Sequence, residues 1–182
     1  HIATVWRGEN TQRGRYREFM QCDFDTIGTR SAVADIETAL VIFDLFHTLG
    51  FEDFTIRINN RMVLTGLLEK LDLMEKSTVV LRALDKLPKI GRDKVAQEMI
   101  TTAGASQQQA SDVIRLAELK GSNDEVLLQL EQLLIGNETG QAGIGRLRQV
   151  LDAVSATGVP RQFLQLDVSI ARGLDYYTGV IF

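Results

Sequence analysis

Between Glu75 and Gly158 the chain holds no aromatic residue, and its apolar positions recur at helical spacing in runs broken by Gly or Pro. A stretch of that kind has no sustained alternation from which to build a sheet, so it must fold as short packed helices around an aliphatic core. The runs are Val79 to Leu87 ended by Pro88, Asp93 to Thr102 before Gly104, Ser106 to Lys120 before Gly121, Ser122 to Leu134 before Gly136, and Glu138 to Thr157 before Gly158. Ser106 with Gln109, and Ser122 with Glu125, stand at the spacing at which two side chains satisfy each other's free amides at a helix start.

The flanks read differently. Residues 1–28 predict a β-hairpin: "IATVWRGE" is β-branched and aromatic, "NTQRG" supplies turn residues, and "RYREFMQCDFD" alternates again. Counting by twos puts Tyr16, Glu18, Met20, Cys22 and Phe24 on one face, read as core, with Cys22 as a small buried hydrophobe. Arg15, Arg17, Phe19, Gln21, Asp23 and Asp25 fall on the other, and Arg7 and Glu9 share one side of the first strand. Residues 34–49 then predict a well-buried amphipathic helix stopped by Gly50, "FTIRIN" a strand, and a new helix follows Asn59 and Asn60. After the helical block, Leu164, Leu166, Val168 and Ile170 alternate, "ARGLD" interrupts, and "YYTGVIF" resumes as a strand. The expected organisation is therefore α+β: a core of residues 1–72 and 161–182 forming one sheet, with residues 73–160 as a helical insertion.

Bulk properties exclude several roles. A net charge of −4 and a pI near 5.2 argue against a protein that grips nucleic acid with its global field, so any such contact is local. One cysteine allows no internal disulfide and fits a reducing, cytoplasmic setting. His1 and His47 have no partner at metal-ligand spacing, so no protein metal site is expected. No apolar run reaches membrane-spanning length. The start at His1 and the stop within "GVIF" suggest a piece of a longer protein.

The chemistry concentrates in two distant β segments, each pairing arginine with aromatics. Arginine forks match phosphate and carboxylate oxygens, and an aromatic beside them offers a flat ligand a surface to stack on. A nucleotide is the natural ligand, but spacing alone does not separate a nucleotide-using enzyme from a phosphate-binding regulator. The glycines of "GNETGQAGIG" follow no strand and so match no dinucleotide or P-loop motif.

At these residues a resemblance becomes specific. "WRGENTQRGRYREFMQCDFD" resembles motif 2 of the class II aminoacyl-tRNA synthetases, and "ARGLDYYTGVIF" is similar to the signature peptide of the histidyl-tRNA synthetase family. The resemblance implies a class II antiparallel sheet with flanking helices and an all-α insertion. It also implies histidine–tRNA ligase activity, in which ATP with Mg2+ activates L-histidine for transfer to tRNA(His). By the same resemblance Arg7 and Arg172 are the catalytic arginines at the α-phosphate, Arg7 also touching the histidine carboxylate. ATP is further contacted by Glu9, Arg15 and Phe19, and histidine by Gln21, Asp25, Arg172, Tyr176 and Tyr177. Gln12 and Arg13 would meet the tRNA acceptor end, while the metal would be held by phosphates and residues beyond this stretch. A cytoplasmic homodimer is implied, and the 182 residues alone are expected to be inactive. The alternative is a non-catalytic, histidine-sensing paralogue of the ATP phosphoribosyltransferase regulatory-subunit type.

Overall fold

Residues 1–34 carry two strands, β1 (Ile2–Trp6) and β2 (Glu18–Cys22), paired antiparallel with Ile2 opposite Cys22 and Trp6 opposite Glu18. The computed structural model describes residues 1–171 and 177–182, divided into two units, His1–Ala34 and Asp35–Phe182. Helix α1 (Ala32–Thr48) begins in the first and runs into the second.

In the second unit the chain continues through β3 (Ile56–Asn60) and α2 (Arg61–Lys70). The helix starts where the sequence says: the Asn60 carboxamide oxygen accepts from the Met62 amide at 2.9 Å. Six helices follow: α3 (Ser77–Leu84), α4 (Leu87–Ile90), α5 (Arg92–Ala103), α6 (Gln107–Ala117), α7 (Asn123–Leu133) and α8 (Glu138–Ala156). Both expected capping boxes are formed, Ser106 with Gln109 and Ser122 with Glu125. Pro88 does not end a helix as expected. It sits in the first turn of α4, where a missing amide hydrogen costs nothing because that amide has no intrahelical partner.

The chain then returns as β4 (Leu164–Leu166) and β5 (Val180–Ile181), which flank β3 in a three-stranded sheet ordered β4-β3-β5. The expected sheet across the helical block is present here, with two differences. Strand β4 runs parallel to β3, because the whole helical stretch serves as the crossover a parallel pair requires, and only β5 is antiparallel. Among the described residues β1 and β2 pair with each other and not with this sheet. The alternation expected through Ile170 stops at Leu166. There the chain turns, with Asp167 accepting from the Ser169 amide and hydroxyl.

The core is aliphatic. Leu64, Leu84, Met99, Leu116, Leu130 and Ile144 are fully buried, each worth about 1.5–3 kcal/mol of transfer free energy. The helices after residue 73 do not stand apart from the strands: α8 packs along α2 and β3, and α7 against β4. Glycines set the α2–α8 distance. A Cβ on Gly66 would lie 2.6 Å from the Gly140 backbone, and one on Gly143 2.9 Å from the Val63 amide. Gly140 and Gly143 of "GNETGQAGIG" thus serve helix contact. The aromatics gather elsewhere, with Phe43, Phe54 and Phe163 packed at centroid distances of 4.8–5.8 Å. Helix α1 is less buried than expected: Ala39 and Phe43 face the core while Val41, Leu45 and Leu49 are exposed.

Candidate functional site

The hairpin is held open at a fixed width by backbone bonds beyond its strands. The Arg7 amide donates to the Arg17 carbonyl at 2.8 Å, and at the tip Gln12 and Arg15 exchange both bonds, at 2.8 and 3.2 Å. Gly14 takes φ +77° in that turn, a conformation a side chain would strain. Arg13 is exposed at the tip beside it.

On one face the side chains organise one another. The Arg7 guanidinium donates to Gln21 Oε1 at 2.8 Å and lies 5.1 Å from the centroid of the Phe19 ring. Arg17 Nε donates to the Glu9 carbonyl at 3.1 Å, and the Glu9 carboxylate pairs with Arg15 at 3.5 Å. A cation, an aromatic and an amide are thereby gathered on one face, with a carboxylate at its rim. Fixed cations beside a ring can meet an anionic planar ligand, since the guanidinium keeps donors beyond the one given to Gln21.

The opposite face corrects an expectation. Trp6 is 69% and Met20 68% exposed, and Tyr16, Phe24 and Cys22 are exposed as well, so neither a core face nor a buried cysteine exists there. Phe19 and Gln21 are the better-covered residues of β2, and Arg7 reaches both of them. Beyond β2 the ladder continues by one pair: the His1 nitrogen donates to the Asp23 carbonyl at 2.8 Å and the Asp23 amide to the His1 carbonyl at 2.9 Å. Asp25 is exposed in the loop that follows.

Arg7, Glu9, Gln12, Arg13, Arg15, Phe19 and Gln21 are thus all on the hairpin. Arg172 and Tyr176 lie outside the described residues, and Tyr177, 42% exposed, belongs to the second unit. Among the described residues no three His, Cys, Asp or Glu side chains converge to hold a metal ion. None of their helices is long and apolar enough to cross a membrane. Sequence reasoning left Arg17 without a role, although it ties the strand to the Glu9 carbonyl. It also treated Asn59 and Asn60 only as a helix start, although both are buried and Asn59 donates to the carbonyls of Val168 and Ile170.

The fold is that of solved synthetase structures. The histidyl-tRNA synthetase from Nostoc sp. PCC 7120 superposes with a TM-score of 0.88 at 36% identity, over 98% of this chain and 41% of that one. A protein from Bacillus halodurans described as an ATP phosphoribosyltransferase regulatory subunit/histidyl-tRNA synthetase shares the fold at TM-score 0.79 and 20% identity, over 98% of this chain and 45% of that one. The family model described as histidyl-tRNA synthetase matches residues 1–182, and the chain belongs to that family. Among curated relatives, the histidine–tRNA ligase of Rhodopirellula baltica is 59% identical over the whole chain and that of Clostridium tetani 43%. The chain spans 41% and 42% of their lengths.

Proposed function

We propose that these residues are the central part of an enzyme that activates L-histidine with ATP and transfers it to tRNA(His). The observation that carries the reading is the Arg7–Phe19–Gln21 face, which sets a guanidinium, a ring and an amide side by side on one hairpin. In the first step a histidine carboxylate oxygen attacks the α-phosphorus of ATP. The new O–P bond forms as the bond to pyrophosphate breaks, and negative charge spreads over the α-phosphate oxygens. Arg7 meets that charge from the hairpin, and Arg172 is assigned to the same phosphate. A preorganised cation aimed at developing charge lowers the barrier more than it strengthens substrate binding.

Phe19 stacks on the adenine and Glu9 accepts from its exocyclic amine, while Arg15 faces the phosphates. Gln21 contacts the polar end of histidine alongside Arg7 and Tyr176, and Asp25 with Tyr177 pairs the imidazole. A site that satisfies both ring nitrogens rejects amino acids lacking them, because its own polar groups would be left unpaired. Gln12 and Arg13, at the exposed tip, meet the acceptor end of the tRNA. Mg2+ would be held mainly by the ATP phosphates and by residues outside this stretch, and would supply further charge neutralisation there. In this reading residues 1–72 and 161–182 belong to the catalytic core and 73–160 are inserted into it, in a cytoplasmic homodimer.

The test is pyrophosphate exchange into ATP by the full-length protein. Exchange is expected only with histidine present, and Arg172→Ala is expected to abolish it while histidine binding stays measurable by calorimetry. Exchange indifferent to histidine, or histidine binding with no exchange at all, overturns the reading, the second in favour of a histidine sensor. The 182 residues alone are expected to show no exchange.

A further inference from the structure

The end of strand β3 touches both approaches to the stretch from Arg172 to Tyr177. On the preceding side, Asn59 Nδ2 donates to the carbonyls of Val168 at 3.2 Å and Ile170 at 2.9 Å. On the following side, Asn59 and Asn60 pair antiparallel with Ile181 and Val180, and the Arg61 amide donates to the Gly179 carbonyl at 2.8 Å. Asn59 is 1% exposed, and its own oxygen accepts from the Asn60 amide at 2.7 Å. Both donors of the amide and one acceptor position of its oxygen are therefore used inside the protein.

Only a carboxamide fits this place. Aspartate would set acceptors against two carbonyls, an aliphatic side chain would remove both donors, and serine would restore at most one. No helix start or strand pairing requires this bidentate contact, since the N-cap of α2 is supplied by Asn60 and the ladder to β5 by the backbone. What the contact does fix is the backbone at residues 168–170, immediately before Arg172.

We propose that Asn59 is a positioning residue for this reaction: its buried amide holds residues 168–170, the backbone that leads into the stretch carrying Arg172. The proposal rests on the function proposed above. Misplacing a reacting or stabilising group by about an ångström costs on the order of 10²-fold in rate, whereas ground-state ATP binding depends on the hairpin and should change little.

The experiment compares full-length wild type, Asn59→Ala, Asn59→Ser and a matched control, Asn123→Ala. Asn123 braces β4 with a similar pair of bonds, Nδ2 to the Leu164 carbonyl at 2.8 Å and Oδ1 from the Leu166 amide at 2.9 Å, several residues short of the segment. Both alanine variants should lower Tm. Only Asn59→Ala should lower kcat for histidine-dependent exchange, by on the order of 10²-fold, with the KM for ATP within about twofold. Asn59→Ser should recover part of that loss.

Tryptic cleavage after Arg172 provides a readout independent of activity, and it should accelerate in Asn59→Ala but not in Asn123→Ala. Equal loss of kcat in both alanine variants overturns the proposal, as does unchanged kcat with unchanged cleavage in Asn59→Ala. If Asn59→Ala does not fold, Asn59→Ser decides, and wild-type kcat there overturns the proposal. A wild type without exchange overturns the reaction and the role built on it together, while an active wild type indifferent to Asn59 overturns the role of Asn59 alone.

Discussion

The hairpin of residues 1–34 and the helices of residues 77–156 are stabilised in opposite ways. The hairpin has a backbone ladder and polar cross-strand contacts, among them Arg7 to Gln21 and Arg17 to the Glu9 carbonyl, and it leaves Trp6 and Met20 largely exposed. The helices bury aliphatic side chains completely and close their ends with reciprocal caps. The hairpin residues proposed for chemistry thus sit where little burial energy depends on them, and the buried side chains of the helices carry no reactive group. Chemistry and stability should then separate on mutation.

The strongest test of that separation is Arg7→Ala. Losing a cation aimed at the α-phosphate should cost on the order of 10²–10³-fold in the rate of histidine-dependent exchange by the full-length protein. Stability should move by no more than about 0.5 kcal/mol, as for other exposed side chains. A fall in Tm that accounts for the lost rate would break the comparison. The converse is Leu130→Ala, which opens a cavity at a fully buried position and should cost about 2–5 kcal/mol by denaturant unfolding. Assayed well below its Tm, it should keep a near wild-type exchange rate. Gly66→Ala should follow, at about 1–3 kcal/mol, because its Cβ would meet the Gly140 backbone at 2.6 Å and backbone cannot swing aside. If α2 and α8 simply separate, Gly66→Ala with Gly143→Ala, whose Cβ would meet the Val63 amide, will cost no more than either alone.

The two regions were also unequally legible. Helix starts such as Ser106 and Ser122 were readable because a cap is a local event, decided by side chains three residues apart. The polar face of the hairpin was half readable for the same reason: alternation groups Phe19 with Gln21 on β2 and Arg7 with Glu9 on β1, and the register that joins the two sets comes from the pairing of Val5 with Phe19. The apolar face was misread because alternation gives the two sides of a ribbon and not which one is covered, and Met20 and Cys22 are exposed. The parallel pairing of β3 with β4 depends on how more than a hundred intervening residues pack, which no local pattern records. Asn59 hid for a similar reason, because its partners at Val168 and Ile170 are distant in sequence.

The smallest expected effect lies at the start of α7 and shows how a stabilising contact in the helical region can still carry charge. Glu125 Oε2 accepts from the Ser122 amide at 2.8 Å and from its hydroxyl at 2.9 Å. Chiefly the amide bond, and then the hydroxyl, hold the carboxyl below its ordinary range. Over that interval the unfolded chain binds more protons than the folded one, so stability rises with pH. The contribution is complete above the ordinary glutamate range and is lost as pH falls through the lowered value. Glu125→Gln keeps an oxygen for the Ser122 amide but cannot titrate. Wild type should therefore exceed Glu125→Gln slightly in Tm near neutrality, with the gap closing on acidification toward the lowered value. A gap unchanged by acid would mean that the cap acts through its geometry and not through the carboxylate's charge.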